Sequence, residues 1–239
     1  MALITGAARG IGLATASTLS GQGYRLALVD RDQSALEQTR DLVGAAWTVC
    51  CDVSDPEAVQ EAVADAAKAL GRLDLLVNNA GILRSASILD HSVEIFDQIM
   101  LVNVRAALFC LQAAARVMLA ARAGCIVNVS SVSGIISSGT PAIAYDMSKA
   151  AVRQMTVSAA RELGPHGIRV NAVAPYTTRT DLTKPLVSDA ARLERDLAHV
   201  PLGRIAEPQE IADAIAFLAS PSASYINGHT LVLDGGRLT

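Results

Sequence analysis

Tyr145 and Lys149 stand four residues apart, so a helix through Tyr145-Asp-Met-Ser-Lys149 carries the phenol and the ammonium on one face. A phenol titrates near ~10, and a nearby cation lowers such a value by ~1 to 3 units, which yields a proton donor and acceptor usable near neutrality. A Tyr/Lys pair alone is more often an ordinary surface feature. Here Ser130 and Ser131 close the apolar run that precedes it, from which a hydroxyl can reach the same substrate oxygen as the phenol. Ser131, Tyr145 and Lys149 therefore make a candidate proton-transfer site. Ser133 is the alternative serine, and Ser131 is preferred because it lies closer to the strand end.

A second constellation opens the chain. Thr5-Gly6-Ala7-Ala8-Arg9-Gly10-Ile11-Gly12 follows the first apolar run and leads into a helix from about Ile11. Glycines there let the backbone turn tightly and approach a pyrophosphate, whose charge suits free N–H groups and the helix dipole. The second apolar run ends in Asp30, where a carboxylate can accept both hydroxyls of an adenosine ribose and would repel a 2′-phosphate. NAD is therefore preferred over NADP, although Arg9 and Arg31 can each pair with a phosphate. Asp52-Val53 follows the third run, within reach of an adenine amino group, or serves as a turn leading into a helix. Asn78-Asn79-Ala80-Gly81 ends the fourth, where amides tie neighbouring strands and small residues leave room for a cofactor. Gly6, Arg9, Gly10, Ile11, Gly12, Asp30, Asp52, Val53 and Asn79 are the candidate dinucleotide residues.

Elements must place these groups together. Short apolar runs at Ala2-Ile4, Leu26-Val29, Thr48-Cys50, Leu73-Val77, Cys125-Val129, Arg169-Val173 and Thr230-Leu233 alternate with longer helical patterns. Right-handed crossovers between such strands build a parallel sheet, with ligands beyond the carboxyl ends of its strands. The expected fold is α/β: one Rossmann-type doubly wound domain over 1-239, with a seven-stranded parallel sheet flanked by helices. One stretch breaks the rhythm, the polar excursion 175-201, which is a candidate substrate lid; its alternative is a surface insertion.

Composition sets the class. Of 239 residues, 51% are hydrophobic and 18% charged, which suits a buried sheet rather than a disordered chain. A net charge of -3, with no basic run interleaved with aromatics, argues against nucleic acid. The most apolar stretch, Ala106 to Ala121, is broken by Gln112 and Arg116, so no membrane span is expected. The amino terminus enters a strand at once, without the pattern of an export signal, and the four cysteines lack ligand spacing. The four histidines are scattered, so no metal site is indicated. The cytoplasm follows as the expected compartment.

Together, Thr5 to Gly12, Asn78 to Gly81, Asn103, Ser131, Tyr145, Lys149 and Arg169-Val-Asn171 resemble the short-chain dehydrogenase/reductase family over nearly the whole chain. The resemblance implies that Tyr145 exchanges the proton and Ser131 orients the substrate oxygen. It implies further that Lys149 holds the nicotinamide ribose and that Asn103 supports a water relay to Lys149. Pro175 and Thr180 fall at the family's nicotinamide pocket, but Tyr176 stands where the family usually has glycine, so a crowded pocket or a changed backbone angle is expected there.

Within the family, Ala80 to Arg84, Thr180 to Leu182, Val187 to Ala190 and Pro201 to Ala212 are similar to enzymes that oxidise 2,3-dihydro-2,3-dihydroxybenzoate, a cyclic alcohol whose product aromatises. A carboxylate substrate wants a cation, and Arg84 and Arg179 are the candidates. The alternatives are a 3-oxoacyl-thioester or other ketone reductase and, from another class, a dinucleotide-sensing binding protein without turnover. The apolar run ending at Asp234-Gly-Gly236 resembles the family's subunit contact and implies a homotetramer.

Overall fold

A computed structural model describes all 239 residues. The seven apolar runs are strands β1 (Ala2–Thr5), β2 (Leu26–Asp30), β3 (Trp47–Cys50), β4 (Leu75–Asn78), β5 (Gly124–Val129), β6 (Ile168–Pro175) and β7 (Thr230–Leu233). They pair in parallel in the order β3-β2-β1-β4-β5-β6-β7. β1 and β4 are buried along their whole length, which is why they read as unbroken apolar runs and not as alternating ones. β7 lies at the sheet edge, and all four of its residues are half-buried.

Two apolar layers cover the sheet. On one face α3 (Pro56–Leu70), α5 (Ala106–Ala121) and α6 (Ile143–Leu163) bury Val63, Cys110, Met118 and Leu163 against Leu3 and Ile126. On the other, α1 (Gly10–Gly21), α2 (Gln33–Val43) and α9 (Pro208–Ala219) bury Leu19, Leu36 and Ile215 against Ile4 and Val127. Full burial of one such side chain contributes roughly 1.5 to 3 kcal/mol, so the two layers rather than any single bond hold the sheet. Helix ends follow local chemistry. Asp32 caps α2 and Asp55 caps α3, while Gly44 and Gly71 end those helices in left-handed conformation.

Two elements differ from expectation. α4 (Val93–Met100) continues through a π turn (Leu101–Arg105) into α5, and the joined helix Val93–Ala121 is long and apolar enough to cross a bilayer by length and composition. The apolar face of α5 is instead spent on the core, through Cys110, Ala114 and Met118. The 175-201 excursion forms two short helices, α7 (Lys184–Val187) and α8 (Ala190–Leu197). Strand order reverses at β1 and β4, which opens a crevice beyond their carboxyl ends.

Candidate active site

That crevice is a cleft of about 500 Å³. Its first half is built on the glycine turn. Gly6 and Gly10 take left-handed φ angles of 63° and 56°. The turn is pinned to β4: Asn79 Nδ2 donates to the Thr5 and Gly6 carbonyls at 3.0 and 2.9 Å, and Thr5 Oγ1 accepts from Asn79 N and Ala80 N at 3.1 Å. α1 starts at Gly10, one residue earlier than expected, and no side chain caps it. Its first-turn N–H groups are left to a ligand, and a phosphate is the ligand they fit. A Cβ on Gly6 would stand 2.9 Å from Ala80 Cα, so the floor of the turn admits no side chain.

Asp30 sits at the cleft wall, aimed by two backbone donors: Oδ2 accepts from Ala8 N at 3.0 Å and Oδ1 from Asp32 N at 3.1 Å. Arg9 is already engaged, bonding the Asp32 carboxylate and lying 3.7 Å from that of Asp181. Arg31, Asp52 and Val53 line the cleft, with Asp52 Oδ1 accepting from Ser54 N at 2.9 Å. Ile11 and Asn79 also line it, while Gly12 stands behind the turn.

The second half gathers the proton-transfer groups. Ser131 is buried, lines the cleft, accepts from Ser133 N at 3.1 Å and donates to the Pro175 carbonyl at 3.4 Å. Ser133 does not line the cleft, which favours Ser131 of the two serines. α6 opens at Ile143, so Tyr145 and Lys149 share its first turns and both face the cleft. Lys149 Nζ lies 5.6 Å from the Tyr145 ring centre and donates to the Val129 carbonyl at 2.9 Å.

The electrostatics correct the sequence reading. Burial pushes the Tyr145 phenol up to about 12, against an opposing pull from the Ser131 hydroxyl. The expected lowering by Lys149 does not appear, because the ammonium points to Val129 and is itself drawn down to about 8 by burial.

Asn103 lies in the π turn, buried just outside the cleft: its Oδ1 accepts from Ile82 N at 2.8 Å and its Nδ2 donates to the Ile82 carbonyl and to Ser148. A Cβ at Gly81 would lie 3.4 Å from Asn103 Oδ1 and 3.5 Å from Lys149 Nζ. The two polar groups thus face one small space that glycine keeps open, as a relay requires.

Pro175, Tyr176, Thr180 and Arg84 line the remaining wall. Thr180 packs over the glycine turn, with its Cγ2 3.2 Å from where a Gly10 Cβ would stand. Arg84 is exposed at the cleft wall and donates only to the adjacent Leu83 carbonyl, at 3.2 Å. Arg179 is not brought to the site. It pairs with Glu207 at 2.9 Å and lines a separate groove between α1 and α9, because β6 ends at Pro175 and the chain has turned outward by residue 179. Nor does Tyr176 crowd the cleft by strain: it has no positive φ, and its hydroxyl leaves for Asp196 at 2.6 Å. Sequence reasoning missed Thr178 and Thr183, which brace this wall through the Thr183 hydroxyl bonded to the Thr178 and Thr180 carbonyls; a threonine in a polar loop gives no signal of that.

A nicotinamide dinucleotide fits these residues, from the uncapped helix and the oriented carboxylate at one end to the buried Ser131 and Lys149 and the half-buried Tyr145 at the other. Comparison with known proteins agrees. The family model described as "Enoyl-(Acyl carrier protein) reductase" matches residues 6–237. The chain is 41% identical to galactitol 2-dehydrogenase (L-tagatose-forming) of Cereibacter sphaeroides, over 98% of this chain and 93% of that protein. It is 37% identical to the 3-oxoacyl-[acyl-carrier-protein] reductase FabG of Staphylococcus aureus, over 98% and 96%. Among solved structures, a short-chain type dehydrogenase/reductase from Mycobacterium marinum superposes with a TM-score of 0.94 at 37% identity, covering 99% of this chain and 94% of that one. The similarity to dihydrodihydroxybenzoate-oxidising enzymes finds no support among these relatives, whose names point to polyols and acyl thioesters.

Proposed function

The chain belongs to the short-chain dehydrogenase/reductase family and is an NAD(P)-dependent oxidoreductase acting on CH–OH groups, and from that premise we propose that it oxidises a secondary alcohol of a small hydroxylated substrate, with NAD preferred. The observation that carries the reading is the convergence of Ser131, Tyr145 and Lys149 at one end of a cleft whose other end is walled by Asp30. Ser131 orients the substrate oxygen, Tyr145 takes its proton, and Lys149 would hold the ribose of a bound dinucleotide. A bound dinucleotide would supply the acceptor for the hydride that leaves the alcohol carbon. Asn103 and the space at Gly81 return the proton toward solvent through Lys149.

Substrate class is narrower on one side. Of two arginines expected for a carboxylate, Arg84 alone lines the cleft, so a carboxylated cyclic diol and an acidic polyol both remain within this proposal. A second reading, reduction of a 3-oxoacyl thioester, is favoured by the likeness to FabG and opposed by the Asp30 carboxylate, which suits the unphosphorylated cofactor. The half-buried edge strand β7 supports assembly as a homotetramer, and four free cysteines suit a reducing cytoplasm.

The test is formation of NADH by purified protein across alditols, acidic polyols and cyclic diols, including 2,3-dihydro-2,3-dihydroxybenzoate, beside reduction of an acyl-thioester ketone. Turnover of any hydroxylated substrate with NAD supports the proposal. Dinucleotide binding with no turnover on the whole panel would replace it with the binding-protein reading.

The cofactor preference has its own variant. Asp30→Ala is expected to raise the ratio of kcat/KM with NADP to that with NAD by about 10-fold to 100-fold, since one charge-assisted pair of ribose bonds is lost and one repulsion removed. Arg9, held by Asp32, limits the gain. A ratio that does not move would assign the choice to other groups.

A further inference from the structure

The 184–197 segment is held in an unusual way. Neither α7 nor α8 contains a buried residue, so little apolar burial fixes them to the domain. Their flanks are tied by backbone bonds: Arg179 N to the Ala206 carbonyl at 2.9 Å, Ala206 N to the Thr177 carbonyl at 3.0 Å, and Leu202 N to the Gly235 carbonyl at 3.1 Å. Between those anchors Asp196 bridges back to the end of β6. Its Oδ1 accepts from the Tyr176 hydroxyl at 2.6 Å and its Oδ2 from the Thr177 hydroxyl at 2.9 Å. Both carboxylate oxygens are thus used by two consecutive residues next to Pro175, whose carbonyl accepts from Ser131. From the other side, the Arg237 guanidinium stands 5.8 Å from the Tyr176 ring centre and fixes the ring in place.

We propose that Asp196 is a positioning residue, which latches the lid helices α7 and α8 to the end of β6 through Tyr176 and Thr177 and so sets the shape of the substrate end of the cleft. The assignment rests on the reading of the cleft as an alcohol dehydrogenase site. Tyr176 is what makes the latch work in this chain. It walls the same cleft as Tyr145 and Lys149, and its hydroxyl reaches α8, which glycine at this position could not do. Charge-assisted bonds to a half-buried carboxylate are strong for their number, so two of them hold what apolar packing does not. The latch joins lid position to the backbone that bears on Ser131, and its loss is felt at the substrate while the dinucleotide half, braced by Asn79 and Thr5, is left intact.

Tyr176→Phe, Thr177→Ala and Asp196→Asn test this with two readouts. Trypsin cleavage after Arg192 and Arg195, both in α8, is expected to accelerate about tenfold in the Tyr176 and Asp196 variants, the order that follows loss of one charge-assisted bond. KM for the alcohol should rise by a similar factor, with KM for NAD and the unfolding midpoint close to wild type. The double variant Tyr176→Phe/Asp196→Asn should be little worse than Asp196→Asn alone, because the two groups act as one unit. Native cleavage rates and an unchanged alcohol KM in all three single variants would overturn the latch. Should a variant lose its fold, Thr177→Ala, which removes a single bond, keeps the comparison readable. Proteolysis needs no substrate, so it decides on the latch even where no alcohol on the panel is turned over.

Discussion

Tyr145→Phe is expected to lower kcat for the alcohol by about 10³-fold or more, with the dissociation constant for NAD within about twofold of wild type, since positioned acid–base groups contribute ~10² to 10⁴ in rate. The aromatic ring remains, so the cleft wall and the contact with Lys149 keep their shape, and only the hydroxyl that exchanges the proton is lost. Binding by isothermal titration beside steady-state kinetics measures both halves. A variant with native turnover would remove Tyr145 from the chemistry.

The sign of the pH dependence follows from the same phenol. Burial holds the phenol up to about 12, so in the free protein it keeps its proton through neutrality and is ready to donate, as reduction of a ketone requires. Oxidation needs the phenolate, whose fraction rises with pH; kcat/KM for the alcohol should therefore climb from pH 6 upward, while that for the ketone does not. An alcohol profile falling between pH 6 and 8 would contradict this role of Tyr145.

Much of this site was legible in the sequence, and for identifiable reasons. β1 and β4 are covered on both faces, so all but their last residues, Thr5 and Asn78, are apolar and stand out as runs; Tyr145 and Lys149 declare themselves through a four-residue spacing that any helix converts into one face. The glycine turn and Asp30 stand out by residue type at the ends of the first two apolar runs, although the bonds that hold them come from Asn79 and Ala8. What escaped depends on partners distant in sequence. Arg179 looked like a free cation until Glu207, far along the chain, was found to pair with it, and Tyr176 looked like an obstruction until Asp196 took its hydroxyl. The phenol's direction of shift could not be read from spacing either. Spacing gives the nearness of Lys149, whereas burial and the pull of the Val129 carbonyl on its ammonium are products of the whole packed layer.

Gly12 carries the second large effect, although it lines no part of the cleft. A Cβ there would lie 2.0 Å from the Gly6 carbonyl oxygen and 2.7 Å from Asn79 Nδ2, the donor that holds that same oxygen. Neither neighbour is the free end of a flexible side chain: one is backbone in a left-handed turn, the other an amide bonded to two carbonyls. The Gly6 end of the turn and the start of α1 must therefore move apart, which takes the Gly6 backbone and the uncapped N–H groups of the first helical turn out of register with a bound pyrophosphate. Gly12→Ala should weaken NAD binding by about 100-fold or more, and overpacking of this order, about 1 to 3 kcal/mol, should lower the unfolding midpoint by several degrees. Gly21→Ala is the control, since a Cβ at Gly21 meets nothing within 4 Å at the far end of the same helix, and it should leave NAD affinity untouched. Native affinity in Gly12→Ala would mean that the phosphates rest on something other than this turn.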